Sequence, residues 1–164
     1  MSVIGIDPGL KGAMVALDDN GALLWFCCAD YDCGPFQRYA QGKRFAPSAV
    51  RDFLSHDRPD IVCIEQQSGR PAQGRGSLMS IAWQQGFFEG ACMGLELPFV
   101  LARPQAWRKS VNAQSNGENP KDVSLRVAEQ LYPDVNFVLP GRRKPHDGFV
   151  DALLIARHAW KENR

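Results

Sequence analysis

The sequence lacks the signatures of several large enzyme classes. It holds no GxxxxGK[ST] loop, no GxSxG elbow and no GxGxxG fingerprint. Nucleotide-hydrolase, serine-hydrolase and dinucleotide-binding chemistries therefore miss the elements that cradle their phosphates or present their nucleophile. No apolar run approaches the roughly 20 residues needed to cross a bilayer, and strand-like sequence begins at once, so neither anchor nor signal peptide is expected. The five cysteines (Cys27, Cys28, Cys33, Cys63, Cys92) form no CxxC pair and have no histidines nearby. That argues against a zinc site or a disulfide framework, and the expected setting is a reducing cytoplasm. Net charge is only +1, but residues 103–144 carry eight basic side chains against four acidic ones. A local positive excess of this kind suits a polyanion held by its backbone.

What is present fits a single domain spanning 1–164, with 45% hydrophobic residues to build its core. Val3 to Ile6 is an apolar run without alternation, the pattern of a strand covered on both faces. Gly12–Leu17 and Ala22–Cys28 extend it into a meander through the Asn20-Gly21 turn. Residues 29–47 show no period. Ser48 is the expected cap of a short helix to about Ser55, Ile61–Ile64 a fourth strand, and Ser77 the cap of a helix from Leu78 to about Leu95. In that helix Ala82, Gly86, Gly90 and Gly94 recur every four residues, a row expected to pack its backbone onto the sheet. Leu97–Leu101 is a fifth strand. Helices are expected to open at Pro104, at Pro120 and near His146. The whole predicts an α/β fold, a five-stranded mixed sheet of three antiparallel and two parallel strands with helices on both faces.

Two of those buried strands end in a carboxylate, Asp7 and Glu65. Asp147 and Asp151 stand four apart on one helix face, where like charges repel and a buried acid needs a counter-charge. Asp147 also suits a helix cap. Four carboxylates without thiols suit Mg²⁺ or Mn²⁺, and a pair of such ions about 4 Å apart is a recurring device for phosphodiester hydrolysis. The glycine-rich loop 66–76, with Arg70 and Arg75, is a candidate phosphate contact, as are Lys109 and the run Arg142-Arg143-Lys144. Lys121 sits in the first turn of its helix, where a cation opposes the macrodipole, which favours a phosphate contact.

The segments IGIDPG (Ile4–Gly9), CIEQ (Cys63–Gln66) and DALLIA (Asp151–Ala156), with the basic stretch Arg103–Ser124, resemble Holliday junction resolvases of the RuvC type. These belong to the ribonuclease H-like superfamily, and the chain's shortness and HDG sequence are more similar to phage-borne members. The resemblance implies a homodimer that binds four-way DNA and nicks two strands symmetrically, with two divalent ions per site. It maps Asp7, Glu65 and Asp151 onto the family's acidic positions and Lys121 near the scissile phosphate. The fourth acidic position falls on Gly148, which leaves Asp147 or His146 to replace it. A ribonuclease H-like nuclease acting on branched DNA or structured RNA (YqgF-like) and a non-catalytic junction binder remain the alternatives.

Overall fold

A computed structural model describes residues 1–69 and 74–164. The chain runs through β1 (Val3–Asp7), β2 (Ala13–Leu17), β3 (Leu23–Cys28), β4 (Ala40–Gln41), β5 (Arg44–Phe45) and α1 (Pro47–His56). It continues with β6 (Ile61–Glu65), α2 (Arg75–Gly94), β7 (Phe99–Ala102), α3 (Pro104–Ser110), α4 (Pro120–Leu131) and α5 (Asp147–Glu162). The main sheet has the order β3-β2-β1-β6-β7. β1 to β3 are antiparallel, whereas β6 pairs with β1 and β7 with β6 in parallel. This is the expected mixed sheet, with β1 at its centre.

Side chains alternate across a strand, so β1 divides its residues between two cores. Val3, with Val15 and Cys63, packs against Trp107, Val127, Phe149 and Leu153 of α3, α4 and α5. Ile4 and Ile6, with Met14 and Ile64, meet Val50 and Phe53 of α1 and Phe88 of α2 on the other side. Both faces are covered, which explains the uninterrupted apolar runs. Residues 29–47, unassigned from sequence, fold back under the second face. They carry a Cys33–Phe36 bridge and the β4–β5 ribbon, and they bury Tyr39 and Phe45 there.

Both serine caps differ from expectation. α1 starts at Pro47 behind Ala46, because proline's fixed φ and missing N–H suit the first helical position and leave Ser48 inside the helix. α2 starts at Arg75 behind Gly74, with Ser77 in its first turn. Its place is set by burial of Gln84, Phe88 and Cys92, which outweighs the roughly 1 kcal/mol of a serine cap. The glycine row is also corrected. A Cβ built on Gly86, Gly90 or Gly94 would meet nothing within 4 Å, so the row faces outward and not the sheet. Spacing identifies a common helix face but not the side it points to.

The close backbone approach occurs elsewhere, at Gly5. A Cβ there would lie 2.2 Å from the Ala156 nitrogen and 2.4 Å from the Ala152 oxygen. α5 thus rests directly on the central strand. Gly5→Ala is expected to lift α5 and cost about 3 kcal/mol, the upper end of overpacking penalties, read as a lower urea midpoint than that of the parent chain.

Candidate active site

Asp7 shares a sheet face with Val3 and Gly5, and Glu65 with Cys63, by the two-residue period of their strands. β1 and β6 are neighbours in parallel register, so the two carboxylates leave the same sheet end on the face that α5 covers. Asp151 lies on α5 immediately before Ala152, one of the two residues against Gly5. Three acids distant in sequence are therefore close enough to perturb one another.

Asp7 is half-buried by its accessible surface, but the protein packed around its carboxyl desolvates it. Burial first, then Glu65 and Asp151, raise its pKa from 3.8 to about 8, against the opposing Gly9 N–H and Arg108. Burial also raises Glu65, opposed by a hydrogen bond from the Trp107 indole N–H to Oε1 at 3.0 Å. Asp151 is raised by burial as well, with Arg108 first and Lys121 more weakly favouring its charged form. Arg108 Nη2 stands 3.6 Å from Asp151 Oδ2 and lowers all three pKa values. Trp107 and Arg108 are the participants that sequence reasoning missed. The available signal was a tryptophan-arginine pair on a short helix that follows a strand of the same sheet.

Asp147 lies outside this trio, about half exposed, and pairs with Lys121. Asp147 is the principal cause of the raised Lys121 pKa, with smaller contributions from Asp151 and Asp7. Lys121, Lys144, Asp147 and Asp151 line a cavity of about 280 Å³. His146 is engaged elsewhere. Its Nδ1 accepts the Phe149 N–H at 3.0 Å as the cap of α5, which leaves Nε2 to donate to Asp30 Oδ1 at 2.8 Å. Gly148 cannot carry a side chain, since a Cβ there would lie 2.2 Å from the Lys11 oxygen and 2.6 Å from the Gly12 Cα.

The other basic candidates are dispersed. Lys109 lines a second groove that opens at Glu65. Arg142 is held by Asp30 at 3.2 Å and lies over the Tyr31 ring. Arg143 and Arg75 are exposed. Arg70 lies outside the described residues.

Among the described residues, no three acidic, imidazole or thiol side chains close on a common ion position. Each carboxylate instead has an internal partner: the Gly9 N–H for Asp7, Trp107 for Glu65, Arg108 for Asp151 and Lys121 for Asp147. The donor set still fits a hard divalent cation. It is all oxygen, and burial with mutual repulsion leaves it short of positive charge.

A stability measurement follows from Asp7. Without metal, the folded chain holds this proton up to about pH 8, whereas a free carboxyl releases it near 3.8. The native state then binds the extra proton across that window, and its stability falls as pH rises from 4 to 8. Asp7→Asn removes this contribution. With chelator present, its urea midpoint is expected to gain on the parent's between pH 4 and pH 8; a constant difference would show that Asp7 is not desolvated.

No protein-family model matches the chain, and no curated protein matches it. Solved structures do. RuvC of T. thermophilus in complex with a Holliday junction substrate superposes with a TM-score of 0.66 at 19% identity, covering 99% of this chain and 95% of that one. The fowlpox virus Holliday junction resolvase gives 0.61 at 14% identity, covering 99% of each chain. The yeast mitochondrial Holliday junction resolvase Ydc2 gives 0.53 at 16%, covering 97% of this chain and 77% of the other. Almost from end to end, this chain has the fold of the RuvC-type resolvases.

Proposed function

We propose that this protein is a metal-dependent endonuclease that resolves four-way DNA junctions, acting as a homodimer that nicks two strands symmetrically. The observation that carries this reading is the mutual electrostatic influence of Asp7, Glu65 and Asp151, from β1, β6 and α5, near one sheet end beside Arg108. It is supported by the likeness of the fold to a resolvase structure that contains a junction.

In this reading Asp7, Glu65 and Asp151, with Asp147 at the rim, hold Mg²⁺ or Mn²⁺, two ions per site. Such ions lower the pKa of water and stabilise a leaving oxygen. Asp147 takes the fourth place because Gly148 has no room for a side chain and His146 is committed to Asp30 and the helix cap. Arg108 and Lys121 offset the charge that develops on the phosphate. Lys109 and Lys144, on the walls of the two grooves, contact flanking phosphates, with Arg70, Arg75, Arg142 and Arg143 as outer contacts.

The outward face of α2 supplies a surface for the second copy. Met79 is 73% exposed, Trp83 44% and Met93 63%, and the glycine row beside them lets two backbones approach. A charge should break that contact without disturbing the fold, because Gly90 borders open space. Gly90→Arg is expected to sediment as a monomer and to lose the pairing of the two nicks.

Cleavage of a synthetic four-way junction in Mg²⁺, with linear duplex, flap and RNA hybrid as comparisons, tests the activity. Asp7→Asn is expected to lower junction cleavage by a factor on the order of 10⁴, the size seen when one member of a catalytic unit is removed, while junction binding remains. Preferential cutting of RNA would instead favour a related nuclease of structured RNA, and binding without cutting a non-catalytic junction protein.

A further inference from the structure

Asp147 is the first residue of α5, and helix ends fray unless something holds them. Asp151 stands a turn farther in, beside the Ala152 backbone that rests on Gly5. On the C-terminal side of Asp147, Gly148 meets the β1–β2 turn and Phe149 stacks on Phe26 with ring centroids 4.0 Å apart. On its N-terminal side residues 132–146 form no helix or strand. The contact that fixes this side must therefore come from side chains.

His146 supplies it. Its Nδ1 accepts the Phe149 N–H at 3.0 Å, and its own N–H is held by the Phe137 carbonyl at 2.9 Å. Histidine is not among the preferred helix caps. A neutral imidazole has one acceptor, and only one of its two tautomers places that acceptor at Nδ1. Asp30, 116 residues away, decides the tautomer by accepting from Nε2 at 2.8 Å. The Asp30 carboxylate is braced in turn, since Arg142 donates to its Oδ2 at 3.2 Å. The Tyr31 hydroxyl donates to the Pro140 carbonyl at 2.9 Å. The chain just past β3 is thus clamped to the entry of α5. A helix start needs only a short polar cap, whereas a cap braced by a distant segment fixes position as well.

We propose that Asp30 is a positioning residue for the candidate metal site: acting through His146, it holds the first turn of α5 and with it the carboxylate of Asp147 beside that of Asp151. The inference rests on the reading above that these carboxylates hold divalent cations. It adds a residue that touches neither ion nor DNA yet sets the spacing of two of the acids. The cavity shared by Asp147, Asp151 and Lys121 is the place where that spacing is expressed.

The test uses the full chain and Mn²⁺ alone, with the free ion counted by its EPR signal and folding followed by the thermal midpoint. Asp30→Ala is expected to weaken Mn²⁺ binding by about tenfold or more, the usual effect of removing a partner that orients a metal site. His146→Asn keeps a capping oxygen but is too short to reach Asp30 as well. It is expected to hold the thermal midpoint near the parent's and to lose the same affinity. The double variant is expected to lose no more than either single one, because both residues act along one path. Losses that multiply in the double variant would overturn the route through His146. Unchanged or tighter Mn²⁺ binding in Asp30→Ala, whatever its midpoint, would overturn the positioning role and leave the carboxylate site intact. A parent chain that binds no Mn²⁺ would remove the metal-site reading together with the inference.

Discussion

The contact between α5 and the central strand decides most of this molecule. Because residue 5 has no side chain, the helix backbone at Ala152 and Ala156 lies directly on β1. That approach sets the height of Asp151 above the sheet and hence its electrostatic contact with Asp7 and Glu65. A helix resting on ordinary side chains would stand farther off, and the acids would lose their mutual influence, since Coulomb interactions weaken with distance and with admitted water. The site is therefore a product of helix-to-sheet packing as much as of its acidic residues.

The second constraint is electrostatic. Three desolvated carboxylates repel one another, yet none is left without a partner. Trp107 donates to Glu65, Arg108 stands by Asp151, and the Gly9 N–H meets Asp7. These partners offset part of the charge that burial strands in the cluster, whose carboxyl pKa values are all raised, that of Asp7 to about 8. Arg108, whose Nε is buried without a partner among the described residues, also lines the groove that opens at Glu65.

Much of this was legible in the sequence. Uninterrupted apolar runs that end in Asp7 and Glu65 reported strands covered on both sides, and the Asp147–Asp151 spacing reported a common helix face. The mixture of three antiparallel and two parallel strands followed from the hairpin turn and the helical connections. Other features depended on tertiary context. Gly5 reads as one more small residue in a strand until the helix above it is placed. The α2 glycines have a clear period, but a period carries no sign, and the face lined by Phe88 and Cys92 took the interior. Arg108 is one cation among several by sequence, and only the position of α3 brings it to the carboxylates. His146 reads as a possible ligand until Asp30, 116 residues away, is seen to hold it.

Gly148 carries a consequence for how such sites diverge. The β1–β2 turn presses its backbone at Lys11 and Gly12 against this position so closely that even a methyl group has no place. An acid or imidazole at 148 and the present turn are mutually exclusive. Moving between the two layouts requires coordinated change in segments more than 130 residues apart. The turn and the bare position 148 are thus coupled, and neither can change alone.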